Sequence, residues 1–185
     1  TKMEIKNNTS VIIQARFNAN RFKGKVLKKI NGKSILEILI TRLKKSKKIN
    51  DIIVACPNTL NDRQIIKECK KLKVKYFQGS EENVLKRFFL AAKKFKIKNI
   101  VRITADCPFV DPKMIDDFVL VFHKKKCDYL SNTITPTYPD GFDIEIFNYK
   151  TLKERYFSKN IDYEKEHVTQ GIINSKKYKK HNISL

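Results

Sequence analysis

Short apolar runs alternate with helical stripes of apolar residues along most of the chain, and this alternation limits the fold more than any other feature. The strand-like runs lie at residues 11–13, 52–55, 74–77 and 100–103, and the helical stripes lie at residues 35–43, 65–72, 84–95 and 112–122. A strand followed by a helix, repeated in this way, predicts an α/β fold with a mostly parallel sheet covered by helices on both faces. Because no repeat or linker interrupts the chain, we expect a single domain over residues 1–185.

The chain is strongly basic, with 40 lysines and arginines against 19 acidic residues and a formal net charge of +21. Most of the excess is lysine, in runs where the predicted helices end or face solvent, and cations are favourable near that end of a helix. We therefore interpret these runs as solvated faces, which argues against a nucleic-acid partner. The positive field still favours anionic small molecules.

The composition also suggests where the protein acts. No apolar run approaches the roughly 20 residues that a membrane span needs, so we expect no membrane association. No charged and apolar leader precedes the first predicted strand, which argues against secretion. The cysteines at positions 56, 69, 107 and 127 form no CxxC pair and match no zinc spacing, so we expect buried thiols in a reducing, cytoplasmic compartment.

Ligands of parallel α/β sheets bind beyond the carboxyl ends of the strands, so the loops there hold the candidate site. The loop after the first strand, residues 14–25, contains the cations Arg16, Arg21 and Lys25. Such groups suit a polyphosphate, although the loop matches neither the Walker motif nor the dinucleotide fingerprint. From these residues alone, a polyphosphate site and an ordinary basic surface loop are equally compatible with the spacing.

A second candidate loop follows the fourth strand. Asp106 lies a few residues beyond the apolar run, where a carboxylate can hold Mg²⁺ against phosphate oxygens. The alternative is an Asx turn before Pro108. Asp111, directly before Pro112, is interpreted as the N-cap of the next helix.

Six segments in a fixed order resemble the cytidylyltransferase family that includes the spore-coat polysaccharide proteins and is related to the synthetases of CMP-activated sugar acids. These segments are Val11–Leu27, Gly32–Leu43, Phe77–Phe88, Val101–Pro112, Tyr138–Phe147 and Glu164–Ile172. The resemblance covers nearly the whole chain and implies a three-layer α/β/α nucleotidyltransferase fold of the GT-A type. It also implies transfer of CMP from CTP to an acidic acceptor such as a sugar acid, with release of pyrophosphate, in surface polysaccharide or glycoconjugate synthesis.

The resemblance further assigns roles to individual residues. Arg16, Arg21 and Lys25 would bind the triphosphate, and Asp106 would hold Mg²⁺. The nucleotide would also contact Gln14, Ala15, Gly79, Ser80 and Asn83. The resemblance thus implies a catalytic set of Arg16, Lys25, Asp106 and Asp143.

The acceptor side is implied in the same way. Asp143 and Glu145, two residues apart on one predicted strand face, would point together toward the acceptor or the metal. His167 matches the family pattern and is a candidate for the acceptor pocket, with a purely structural role as the alternative. CTP and an anionic small molecule are the implied partners, and the implied assembly is a homodimer.

Relatives commonly carry a further aspartate in a Val-Asp-x-Pro-Glu-Asp stretch near their C-terminus, and the printed chain ends at Leu185 without it. Three explanations stay open: truncation, replacement of that aspartate by Asp143 with Glu145, or impaired activity. Two other functions also stay open. One is a sugar-1-phosphate nucleotidyltransferase that uses another nucleoside triphosphate, and the other is a basic nucleic-acid-binding module.

Overall fold

A computed structural model describes residues 8–18 and 22–185 of the protein. Nine strands are described: β1 (Thr9–Gln14), β2 (Lys29–Ile30), β3 (Lys33–Ser34), β4 (Ile52–Pro57), β5 (Lys75–Gly79), β6 (Asn99–Thr104), β7 (Tyr129–Ser131), β8 (Glu145–Asn148) and β9 (Lys180–Asn182). The helices are α1 (Ile35–Leu43), α2 (Arg63–Lys71), α3 (Val84–Lys94), α4 (Pro112–Lys125), α5 (Tyr149–Phe157), α6 (Asp162–Glu166) and α7 (Gln170–Ile173), and a short 3₁₀ turn covers Lys25–Leu27.

The main sheet has seven strands in the order β5-β4-β1-β6-β8-β7-β9, and β2 pairs with β3 in a separate hairpin. The neighbours β5, β4, β1 and β6 are all parallel. β8 runs antiparallel to both β6 and β7, and β9 is parallel to β7. The predicted α/β fold with a mostly parallel sheet is therefore confirmed.

Alternate residues of the central strand enter two separate cores, which gives the molecule three layers. Val11 and Ile13 of β1 pack in one core with residues of α1, α2 and α4. Ile12 lies between them in the sequence and packs on the opposite face with residues of α3, α5 and α7. Because successive side chains of a strand point to opposite faces, a continuous apolar run fits a strand buried on both sides.

Polar side chains fix where the helices begin. The Ser34 hydroxyl caps α1 by accepting a hydrogen bond from the Glu37 amide at 3.0 Å, and it donates to the Glu68 carboxylate at 2.7 Å. The Glu37 carboxylate pairs with Lys71 at 3.3 Å. Asp111 caps α4 by accepting from the Lys113 amide at 2.9 Å, which confirms its predicted role.

The structure also differs from the sequence prediction. β8 begins at Glu145, so Asp143 lies in the preceding loop and the two carboxylates do not share a strand face. All four cysteines are buried and unpaired, as expected. No helix within the described ranges is long and apolar enough to cross a bilayer.

Candidate active site

The candidate site lies where the direction of chain progression across the sheet reverses. From β1, the chain continues to β4 and β5 on one side, whereas β6 lies on the other side of β1. The carboxyl ends of β1 and β6 meet in register at Gln14 and Thr104. Loops that leave such a pair of strands in opposite directions open a crevice, which is the general ligand site of parallel α/β sheets.

The loop after β1 is held at both of its ends. The Phe17 amide donates to the buried Asp62 carboxylate at 2.8 Å, and the Gly24 amide donates to the Phe17 carbonyl at 2.8 Å. Gly24 has a φ of 68°, and a Cβ there would come within 3.0 Å of the Phe17 ring. Glycine is therefore required for the turn that brings Lys25 back to the crevice. Arg21, one of the predicted triphosphate ligands, lies outside the described residues.

A small cavity of about 210 Å³ occupies the crevice. It is lined by Gln14, Arg16, Lys25, Val26, Thr104, Ala105 and Asp106. The Lys25 ammonium lies 3.3 Å from Oδ2 of Asp106, and both side chains are roughly half exposed. The structure thus brings together four residues that the sequence placed at the nucleotide: Gln14, Arg16, Lys25 and Asp106. Two cations beside one carboxylate suit an anion that also carries a metal ion.

The charge state of Asp106 suits metal binding. Burial opposes ionisation of this carboxyl, but the Thr104 hydroxyl and the Lys25 ammonium outweigh it and lower the pKa of Asp106. By contrast, burial and the neighbouring Asp140 and Glu145 raise the pKa of Asp143. Residues 8–18 and 22–185 contain no cluster of three or more metal-ligating side chains. A Mg²⁺ ion held by one or two carboxylates together with substrate phosphates does not need such a cluster.

A large cavity of about 720 Å³ adjoins the small one and shares Gln14 and Arg16 with it. Its other lining residues are Glu81, Glu82, Asn83, Val84, Arg87, Asp162, Lys165, Glu166 and His167. The predicted residues Asn83 and His167 therefore line the same cavity.

The loop between β5 and α3 forms one wall of the large cavity. The Ser80 hydroxyl accepts from the Asn83 amide at 3.0 Å, and the Asn83 side chain caps α3 by accepting from the Lys86 amide at 2.8 Å. Arg87 of α3 donates from Nη1 to the Ser80 carbonyl at 2.6 Å. These bonds fix the predicted nucleotide loop, Gly79 to Asn83, against the helix that follows it.

Arg87 is a site residue that the sequence analysis missed. It is 1% exposed and lies among Val84, Phe88 and Ala91 on the buried face of α3. A signal was present, because position 87 falls inside an apolar stripe of helical spacing, where a cation is rare unless it has a partner or a ligand.

Glu145 lies beneath the site and not on its wall. It is 8% exposed, and its carboxylate accepts from the Tyr129 hydroxyl at 2.7 Å, from the Thr169 hydroxyl at 2.5 Å and from Arg102. Burial opposes ionisation, but the Arg102 charge and these hydrogen bonds outweigh it and lower the pKa of Glu145. Glu145 therefore lines neither cavity, whereas the sequence resemblance implied that it would point toward the acceptor or the metal.

The buried ion pair of Arg102 and Glu145 is bonded to side chains next to both cavities. Arg102 donates from Nε and Nη2 to the Gln14 side-chain oxygen at 3.1 and 2.8 Å, and Gln14 lines both cavities. On the other side, Thr169 follows Val168 and the exposed His167. Val168 is buried and has a φ of 42°, which is strained for a β-branched residue. The Glu145–Thr169 bond therefore holds a strained turn that presents His167 to the large cavity.

Comparison with known proteins gives consistent results. A family model described as cytidylyltransferase matches residues 10–179. An uncharacterized protein of Methanocaldococcus jannaschii, MJ1063, is 42% identical over 161 residues, which are 87% of this chain and 65% of that protein. The spore coat polysaccharide biosynthesis protein SpsF of Bacillus subtilis is 32% identical over 91% of this chain and 71% of its own length. The chain thus spans about two thirds of the length of these relatives.

A solved structure supports the same relationship. The cytidylyltransferase of Leptospira borgpetersenii superposes with a TM-score of 0.92 at 31% identity, over 96% of this chain and 76% of that one. The three-layer architecture expected from the sequence is therefore that of a nucleotidyltransferase fold.

Proposed function

Because the chain belongs to the cytidylyltransferase family, we propose that it transfers CMP from CTP to an acidic acceptor such as a sugar acid, with release of pyrophosphate and with Mg²⁺ as the cofactor. The observation that carries this proposal is the small cavity between β1 and β6. There, Arg16 and Lys25 face the ionised Asp106. In surface polysaccharide or glycoconjugate synthesis, this reaction supplies an activated sugar.

The chemistry asks the protein mainly for positioning and charge neutralisation. An acceptor oxygen attacks the α-phosphorus in line while pyrophosphate leaves, and no covalent bond to the protein is needed. Arg16 and Lys25 are placed to neutralise the phosphates, and Asp106 is the residue that would hold the metal ion. A metal ion held there would supply positive charge against the charge that develops on the leaving pyrophosphate.

Lys25 must exchange partners when the nucleotide binds. In the structure its ammonium pairs with Asp106 at 3.3 Å. A metal ion on Asp106 would repel Lys25, while a triphosphate offers it new acceptors. The half-exposed pair is weak enough to exchange, since such surface pairs contribute at most about 1 kcal/mol.

The large cavity provides the space for the remainder of the two substrates. His167 and Lys165 lie on its α6 side, and Arg16 lies where the two cavities meet. Asp143, in the loop before β8, supplies a further carboxylate for the acceptor or the metal. Burial and Asp140 raise the pKa of Asp143, whereas the pKa of Asp106 is lowered, so Asp143 is the better proton acceptor of the two.

The proposal is tested by thermal unfolding with CTP, UTP, ATP and GTP, each with and without Mg²⁺. A ligand at 100 times its Kd stabilises the folded state by about 2.7 kcal/mol, which corresponds to roughly 5–11 °C for a domain of this size. We expect this shift for CTP with Mg²⁺ only. Pyrophosphate release with a panel of ulosonic and nonulosonic sugar acids then identifies the acceptor.

A matched pair of variants makes the test specific. Asp106→Asn removes the proposed metal ligand. Asp51→Asn is the control: Asp51 lies at the opposite end of the sheet and pairs with Lys75 at 2.8 Å, and its side chain is about as exposed as that of Asp106. We expect Asp106→Asn to abolish the Mg²⁺-dependent shift and Asp51→Asn to retain it. Equal, small shifts with all four nucleotides would contradict the proposal, because they would mark the basic loop as a general anion trap.

A cytoplasmic location and a single domain, expected from the composition, and a homodimer, implied by the family resemblance, belong to this proposal. Size-exclusion chromatography with light scattering measures the assembly directly. A monomeric mass with full pyrophosphate-releasing activity would contradict the dimer without affecting the reaction.

A further inference from the structure

Arg87 is a buried cation that makes no salt bridge within the described part of the chain. It is 1% exposed, and its one hydrogen bond in the described part of the chain is the bond from Nη1 to the Ser80 carbonyl. Its Nε is fully buried and has no partner, and no carboxylate among the described residues lies within 4 Å of it. Burying an arginine in this way is costly, so an unsatisfied example calls for a functional explanation.

The backbone beside Arg87 is shaped to admit this side chain. A Cβ on Gly79 would lie 2.9 Å from Cγ of Arg87, closer than real contacts allow. The glycine at the end of β5 therefore lets the arginine stem pass close to the strand. Burial lowers the pKa of Arg87 to about 10, so the guanidinium is still protonated at neutral pH.

Arg87 is one of the residues that line the large cavity. The phosphate-binding candidate Lys25 and the metal-binding candidate Asp106 line the small cavity, and the two cavities meet at Gln14 and Arg16. A nucleotide with its phosphates at Lys25 therefore extends its nucleoside into the large cavity. There the wall formed by β5 and α3 offers donors from Arg87 and acceptors from Glu81 and Glu82.

This mixture of donors and acceptors matches one pyrimidine better than the other. Cytosine presents two neighbouring acceptors, O2 and N3, and one amino donor, whereas uracil presents a donor at N3 and an acceptor at the amino position. A guanidinium has only donors, in a planar fork that suits two adjacent acceptors. We propose that Arg87 determines base specificity, by donating to the O2 and N3 edge of the cytosine of CTP. This inference rests on the proposed function and adds the residue that reads the base.

The test compares nucleotide affinities by isothermal titration calorimetry. The wild-type protein, Arg87→Lys and the control Arg42→Lys are titrated with CTP, UTP and inorganic tripolyphosphate. Arg42 also donates to main-chain carbonyls, those of Phe109 and Val110, but it does not line the large cavity. A good bidentate contact to a base edge discriminates by roughly 5- to 150-fold. We therefore expect Arg87→Lys to reduce the preference for CTP over UTP by at least about fivefold, with tripolyphosphate affinity and the Arg42→Lys variant unchanged.

A second measurement does not depend on the folding of the variant. The analogue 3-deaza-CTP replaces the N3 acceptor with a C–H group, so the wild-type protein should bind it more weakly than CTP by a similar factor. Equal affinity for CTP and 3-deaza-CTP would overturn the inference. So would an Arg87→Lys protein that keeps its CTP preference, or one that loses affinity for all three ligands equally, as a structural residue would.

The two proposals fail in different ways. If the wild-type protein shows no preference for CTP over UTP, the proposed function fails, and the inference about Arg87 fails with it. If the wild-type protein prefers CTP and Arg87→Lys retains that preference, only the inference about Arg87 fails.

Discussion

Replacing Glu145 with glutamine tests whether the buried ion pair beneath the site stabilises the fold. The carboxylate accepts from Tyr129, Thr169 and Arg102, and it is buried in the centre of the molecule. In Glu145→Gln, the amide oxygen can serve Tyr129 and Thr169, but the amide NH₂ group then faces the Arg102 guanidinium. Two donors would oppose each other, and the cation would lose its counter-charge.

The expected loss of stability follows from this geometry. Breaking one partner of a buried pair costs about 3–5 kcal/mol, because an uncompensated charge stays buried. Arg102 keeps its two bonds to Gln14, and its side chain is 13% exposed, so the lower end of the range applies. A loss of about 3 kcal/mol lowers the unfolding midpoint of a domain of this size by about 6–12 °C.

The assay is equilibrium unfolding in urea, with thermal unfolding followed by circular dichroism as a check. Glu154→Gln is the matched control, because Glu154 pairs with Lys177 at 2.7 Å on the surface, and its midpoint should not change measurably. The double variant Glu145→Gln with Arg102→Met should recover part of the lost stability, since it also removes the buried Arg102 cation that Glu145→Gln leaves without a counter-charge. A loss below about 1 kcal/mol for Glu145→Gln alone would refute the reasoning.

The pH dependence of this loss has a definite sign. The pKa of Glu145 in the folded protein is lowered by Arg102 and the hydrogen bonds, relative to about 4.3 in the unfolded chain. The ionised carboxylate therefore contributes its full stability above about pH 4.3, and this contribution disappears as the pH falls through the folded-state pKa. The difference between wild type and Glu145→Gln should be present at pH 7 and should narrow in acid. A difference that grows on acidification would show that the pair does not lower this pKa.

Three further outcomes are expected. Lys25→Gln should change the free energy of unfolding by less than about 1 kcal/mol, because the pair of Lys25 with Asp106 is half exposed. Titration calorimetry should nevertheless show a large loss of CTP affinity. Retained CTP affinity would show that Lys25 does not bind the nucleotide. Lys126→Gly should raise the free energy of unfolding in urea by about 0.5–1 kcal/mol. Lys126 follows α4 with a φ of 47°, which glycine adopts without strain. A less stable variant would contradict this expectation. Burial raises the pKa of both Cys56 and Cys69 to about 12, so pulsed maleimide labelling at pH 7.5 should modify them only in denaturant, and rapid labelling of the native protein would show that these thiols are accessible.

The sheet could be predicted from the sequence because its central strands are buried on both faces. Continuous apolar runs such as 11–13 and 52–55 leave few alternatives for a strand of that length. β9 (Lys180–Asn182) was not predicted, because this polar strand at the sheet edge has no apolar signal. Asp143 was assigned to the strand of Glu145 for a similar reason, since nothing in residues 143–144 distinguishes a loop from a strand.

The site could be predicted only in part. Gln14 ends β1, Arg16 and Lys25 follow it, and Asp106 follows β6. The carboxyl ends of these two strands must meet once the strand order is known, and the structure brings the four residues together. The position of Glu145 could not be read from spacing. Its burial depends on partners at positions 102, 129 and 169, which are close only in the folded chain. Arg87 was missed because a cation within a helical stripe is normally assumed to reach solvent.

The buried pair and the two cavities are parts of one arrangement. Transfer between two bound substrates requires the reacting atoms to be held within about 3–3.5 Å in line, and displacements near 1 Å slow such reactions about a hundredfold. Arg102 fixes Gln14, which both cavities share, while Glu145 fixes Thr169 and with it the strained turn at Val168 that presents His167. A loop alone would let these walls move independently. Because the buried Glu145 carboxylate ties β6, β7 and the turn after α6 to one point, the core of the protein sets the position of Gln14 relative to His167. The residues that touch substrate can therefore lie on exposed loops without losing their alignment.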